Sequence, residues 1–179
     1  MFDAEPSVIS YLIRKYPGGC KKADKLRLLP LHIACDSEIG VNSPNISVIQ
    51  LLTESYPEAC MYTSEAGSTP LVISITRRAS LSVLTLLVEA CPESLSVKDH
   101  KNRIPLHSAV LMRASLDVIG LLVALYPNGL VIEDSKHETP YDYAIRLDMS
   151  KDVLDLLRPT DRNLCSIQSM RPQKVHIDQ

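Results

Sequence analysis

Residues 104–127 read Ile104-Pro105-Leu106-His107-Ser108-Ala109-Val110-Leu111-Met112-Arg113-Ala114-Ser115-Leu116-Asp117-Val118-Ile119-Gly120-Leu121-Leu122-Val123-Ala124-Leu125-Tyr126-Pro127. Proline at a first helical position gives up a donor that would be unpaired anyway, so Pro105 opens a short helix. Ser115 is placed to accept an orphan N–H of a following first turn, which predicts an N-cap. Beyond it Val118, Ile119, Leu121 and Leu122 form one broad apolar stripe at helical spacing. Tyr126-Pro127 ends that stripe, because proline lacks the donor and drives its predecessor out of the α region. The stretch therefore predicts two helices joined by a short turn, one opened and the other closed by proline.

The same text recurs in both directions. Pro30, Pro70, Pro105 and Pro140 are separated by 40, 35 and 35 residues, and Pro17, Pro57, Pro92 and Pro127 repeat those separations. Val8, Val48, Val83, Val118 and Val153 keep the register, and Asn45, Ser80, Ser115 and Ser150 stand as N-caps three residues before the last four valines. The longer first interval is explained by an insertion at residues 37–44. A small residue always follows the opening proline by four positions (Ala34, Ser74, Ala109, Ala144), which predicts a row where helices approach closely. The connectors between the two proline registers alternate weakly, as in Leu95-Ser96-Val97, and predict an extended finger ending in a polar turn.

The expected fold is all-α. Residues 23–159 hold four helix pairs; residues 1–22 supply a return helix with no first helix ahead of it. Lys151, Asp152, Asp155 and Arg158 make the last helix polar, as an end unit requires. Residues 160–179 have no period and read as a flexible tail. Leu86, in the stripe Val83-Leu84-Thr85-Leu86-Leu87, is expected to be a core position whose truncation to Ala costs about 2–5 kcal/mol.

Composition narrows the function. The 179 residues include 45% hydrophobic and 22% charged residues, an ordinary globular balance. Nineteen basic against 21 acidic residues leave a net charge of -2, without the basic excess that phosphate backbones attract, so nucleic acid is not an expected partner. The longest uncharged stretch, Val118 to Ile132, is broken by Pro127 and too short to span a bilayer, so no membrane segment is expected. Asp3 and Glu5 stand where a signal peptide would carry its basic residues. An intracellular location, cytoplasmic or nuclear, follows as an expectation. The cysteines, Cys20, Cys35, Cys60, Cys91 and Cys165, are odd in number and contain no C-x-x-C pair, which favours neither a disulfide framework nor a zinc site.

These motifs resemble the ankyrin repeat. Leu29-Pro30-Leu31-His32, Thr69-Pro70-Leu71, Ile104-Pro105-Leu106-His107 and Thr139-Pro140 each match part of its T-P-L-H signature, and Asp24, Asp99 and Asp134 match its turn aspartate. Gly67 and Asn102 occupy its turn glycine, where φ is positive. Arg27 and His137 depart from that pattern, so their turns are expected to be strained or differently shaped. The 35-residue period exceeds the family's ~33, marking a long variant whose extra residues fall in the return helix or its exit. The resemblance implies a solenoid of helix-turn-helix pairs with hairpin-like fingers, about four full repeats plus an N-terminal half repeat. It also implies that His32 and His107 tie neighbouring hairpins through ring hydrogen bonds.

The register accounts for the reactive groups. Cys20 and Cys60 align with Leu95 and Leu130, Cys35 with Ile75 and Val110, and Cys91 with Tyr56 and Tyr126, so these are packing positions. Arg77-Arg78-Ala79-Ser80 resembles a basophilic kinase target, but Ser80 shares its register with Ser115 and Ser150, which favours capping. Asn45-Ile46-Ser47 matches a glycosylation acceptor of little force without a secretory signal. No phosphate loop, acid pair or metal-ligand spacing is evident. No enzyme activity, cofactor, metal or small-molecule substrate is expected.

The family binds proteins through its turn tips and the concave side of its first helices. Register carries that surface onto Lys25, Leu26, Leu28, Glu65, Ser68, His100, Lys101, Arg103, Lys136 and Glu138 at the tips. On the first helices and their exits it falls on Asp36, Arg77, Leu111, Met112 and Arg146. With more cations than acids, this face is expected to take an acidic or mixed polar-apolar protein segment, with Leu26, Leu28, Leu111 and Met112 as apolar anchors. The chain thus reads as a non-catalytic scaffold or adaptor; the alternative is the recognition or regulatory arm of an enzyme whose catalytic domain lies outside this chain.

Overall fold

The computed structural model describes residues 5–36 and 45–159. The insertion at 37–44 and the segment 160–179, with Cys165, lie outside the described residues. The elements are α1 (Pro6–Lys15), α2 (Pro30–Cys35), α3 (Ile46–Ser55), α4 (Pro70–Thr76), α5 (Leu81–Ala90), α6 (Pro105–Leu111), α7 (Leu116–Leu125), α8 (Pro140–Arg146) and α9 (Lys151–Leu157). Described residues contain no strand, and the architecture is all-helical.

Both proline registers act where expected. Pro30, Pro70, Pro105 and Pro140 each open a short helix, while Tyr16, Tyr56, Cys91 and Tyr126, each directly before a proline, cap α1, α3, α5 and α7. The second prolines also start something new. Pro17–Lys21, Pro57–Met61, Pro92–Ser96 and Pro127–Val131 are 3₁₀ turns, so the connectors begin coiled and not extended. The weak alternation was misleading: one turn of 3₁₀ helix buries Cys20, Cys60, Leu95 or Leu130, each three residues beyond its proline.

Each even-numbered helix packs on the return helix that follows it, and also on the even-numbered helix of the next unit. Return helices stack likewise, α1 on α3, α3 on α5 and α7 on α9, with the α5–α7 step the loosest. The core lies between the two layers. Ser74, Ala109 and Ala144 are completely buried, as the small-residue row requires, and Ala34 at the upstream end is half-buried.

The apolar stripe of α5 resolves more finely than its spacing suggests. Val83, Leu84, Leu87 and Val88 are buried, but Leu86 is half-buried and borders an open groove. Its truncation should therefore cost well under the range expected for a core leucine; Leu87, 1% exposed, is the core position. Capping is also uneven. The Asn45 side chain accepts from the amides of Ser47 and Val48 and Ser115 accepts from Val118, whereas Ser80 and Ser150 hold the N-cap backbone geometry without the side-chain bond.

Candidate functional site: the turn tips and first-helix side

Three of the four polar turns are built on an aspartate, and the second is built on Ser64, whose hydroxyl accepts from the Ser68 amide at 3.2 Å. The Asp24 carboxylate accepts from the amides of Leu26 and Leu28, Asp99 from Lys101 and Arg103, and Asp134 from Lys136 and Glu138. This local bonding folds the chain back without neighbours. Burial pushes the Asp134 carboxyl up, but the Glu138 and Lys136 amides and the Tyr143 hydroxyl outweigh it, and the group ends below the usual carboxylate range. Asp99 is lowered in the same way, its burial outweighed chiefly by the Arg103 side chain and the turn amides. Arg27, Gly67, Asn102 and His137 all adopt left-handed φ, between 58° and 76°. The turns of Arg27 and His137 thus share the common conformation and are not differently shaped; these residues simply occupy a region that glycine enters more cheaply.

Successive turns are joined into a row. The Glu65 amide donates to the Leu26 carbonyl and the Ser135 amide to the Lys101 carbonyl, both at 2.9 Å. Between those two links, the His100 ring nitrogen Nε2 bonds the Glu65 carbonyl at 3.0 Å. A Cβ on Gly67 would come within 2.9 Å of the His100 ring, so glycine there serves both the turn and the imidazole. His100 is exposed yet engaged, a structural tie where a free contact residue was expected.

The buried histidines brace the row from beneath. The Leu29 amide donates to His32 Nδ1 at 3.2 Å, which leaves the proton on Nε2 to donate to the Tyr62 carbonyl at 3.0 Å. His107 repeats this with the Ile104 amide and the Glu138 carbonyl. Burial is the main influence on both rings and lowers their pKa, against the carbonyl partners. Neutral imidazole is what this geometry needs, since each Nδ1 must accept.

The expected contact surface divides into two classes. Arg77 pairs with Asp36 across units, Arg103 with Asp99 within its turn, and Arg146 with Glu138 at 3.1 Å. Those three cations are spent inside the molecule, which the count of charges did not anticipate. Lys25, Lys101 and Lys136 are exposed and form no ion pair with a described residue. Leu26 is 56% exposed, whereas Leu28, Ser68, Leu111 and Met112 are half-buried and Glu65 is exposed.

Two features escaped register-based reading. Arg78 and Arg113, in the turn after the first helix, have φ of 55° and 50° and reach into the next unit. Their guanidinium groups donate to the Met112 and Leu147 carbonyls, capping α6 and α8 from the unit before. The signal was present in the recurrence Arg78-Ala79-Ser80 and Arg113-Ala114-Ser115. The second feature is an apolar groove of about 730 Å³ on the return-helix side, lined by Leu81, Leu116, Gly120, Leu121 and Leu156 with Asp117 and Asp152 at its rim. It opens where α5 and α7 pack least.

The described thiols are shielded by their placement. Burial pushes Cys35 and Cys60 up to about 12, and the described cysteines are all free and buried. No described helix is long and apolar enough to cross a membrane.

No family model matches the chain, and no curated protein matches it.

Proposed function

We propose that the chain is an ankyrin-type repeat array whose turn tips and first-helix side, concave in the family it resembles, bind an acidic segment of a partner protein without catalysis. The observation that carries this reading is the row of linked turns. Backbone and imidazole bonds between neighbouring tips hold the loops in fixed order, and that order presents Lys25, Lys101 and Lys136 as exposed cations without described acidic partners. A loop set ordered in advance loses little entropy on binding, which is what a recognition surface needs. Leu26 at the first tip and Met112 at the exit of α6 add apolar contact beside the charges.

The internal ion pairs change which substitutions test it. Reversing Arg103 or Arg146 would break pairs with Asp99 and Glu138 and confound binding with turn stability. Lys101→Glu with Lys136→Glu leaves those pairs in place. Affinity capture with the double variant is expected to lose the partners that the parent chain releases at high salt, with an unchanged melting temperature. Equal capture by both chains would contradict the reading.

A further inference from the structure

The upstream side of α1 and α2 is where register demands burial and the fold leaves apolar groups open. Leu12 is 44% exposed, while its register equivalents Leu52, Leu87, Leu122 and Leu157 are between 0% and 6% exposed. Val8 is 49% exposed against 9%, 2% and 5% for Val48, Val83 and Val153, with Val118 half-buried. In every later unit a short first helix packs on the return helix. Among the described residues α1 has no such companion. Ile33 on α2 is 51% exposed, and Ala34 is less covered than its three fully buried equivalents, so an apolar slot runs along both helices.

We propose that α1 of a second copy of this chain fills the slot, the two α1 helices packing antiparallel about a two-fold axis. Glu5, Val8, Leu12 and Lys15 follow one another at spacings of three, four and three, a single stripe along α1 and its N-cap. The stripe is a charge palindrome. Reversed on itself about Ser10, it sets Val8 against Leu12 of the partner copy and Glu5 against Lys15 of the partner copy, twice over. A parallel pairing would set Glu5 on Glu5 and Lys15 on Lys15, so the charge order selects the antiparallel, isologous arrangement. Tyr11 and Tyr16, 63% and 64% exposed, flank the stripe and add the aromatic area common at interface cores. Antiparallel is also the direction in which a first helix meets its return helix across the short turn, so the partner α1 enters the slot as a missing first helix would.

The test is the mass of the full-length chain in solution, by sedimentation and light scattering across concentration. A dimer is expected at about 100 μM protein, dissociating toward the low micromolar range. Leu12→Glu should raise the dissociation constant by about a hundredfold or more, since each interface loses two apolar contacts, while leaving helical circular dichroism unchanged. Lys15→Glu alone should weaken the dimer about tenfold, and adding Glu5→Lys should restore it. A chain monomeric throughout would overturn the proposal. So would a dimer indifferent to Leu12→Glu, or a double charge swap no tighter than either single change. Because Lys101 and Lys136 lie away from α1, their variants should remain dimeric, and failure of this inference leaves the tip-binding reading separately testable.

Discussion

Leu12 and Leu87 hold the same place in the register, yet 44% of one and 1% of the other meets solvent. Their local sequences are alike: Val8-Ile9-Ser10-Tyr11-Leu12 and Val83-Leu84-Thr85-Leu86-Leu87 present the same spacing of apolar groups. Neither helix propensity nor periodicity separates them. The difference comes from what stands beside each helix, since α5 has α4 against it and α3 behind it, whereas among the described residues α1 packs on α3 and on the Pro17–Lys21 turn, with no first helix against it. The same apolar stripe is therefore buried or open according to what packs beside it.

The strongest way to break that comparison is to cut a tie between units in the packed region. His107 is fully buried, accepts from the Ile104 amide and bonds the Glu138 carbonyl of the next unit. His107→Ala should leave both groups without partners beside a cavity, costing about 3 kcal/mol in urea unfolding. A loss below about 1 kcal/mol would mean that the ring merely fills space.

Acid should do reversibly what that substitution does permanently. The folded-state pKa of His32 and His107 is lowered from 6.5, chiefly by burial, so the unfolded chain takes up protons first as pH falls. Stability from these rings is complete above the unfolded pKa and is lost as pH drops below about 6.5. Asp99 and Asp134, lowered from 3.8, give a second and separate loss in more acidic solution. Melting temperature followed from about pH 8 downward should show the first decline, and His107→Ala should shrink it. A melting temperature flat to about pH 5 would contradict the neutral-imidazole assignment.

A smaller effect belongs to the arginine that crosses between units. Arg113→Met keeps the aliphatic stem but removes the donor to the Leu147 carbonyl, and should cost about 1 kcal/mol by urea unfolding. An unchanged midpoint would show that water replaces the guanidinium without loss.

Much of this fold was legible because its punctuation is local. Proline at a helix start, Tyr-Pro at a helix end and aspartate at a turn each act within a few residues, and each appears where the register placed it. The 3₁₀ turns after the second prolines were not legible, because Leu95-Ser96-Val97 alternates as a strand would while Pro92 tightens the preceding turn. Leu86 was misplaced for a related reason: an apolar stripe at i, i+1, i+3 and i+4 is wider than one neighbour can cover. At the tips, the row of positions was legible but its chemistry was not. Whether Arg103 faces Asp99 or a partner depends on contacts in space, and Arg77 meets Asp36 from 41 residues away. The histidines were legible through the family resemblance, whereas the tie from His100 to Glu65 was not, since it depends on Gly67 leaving room.

One series of urea melts, taken at dilute protein, of Leu→Ala at positions 12, 52, 87, 122 and 157 tests most directly whether the units hold one another together. Neighbour stacking predicts losses of about 2–5 kcal/mol at the four buried positions and under about 1 kcal/mol at Leu12. A flat series, with Leu12 as costly as Leu87, would show that each helix is stabilised by its own sequence and would contradict the claim that the units hold one another together.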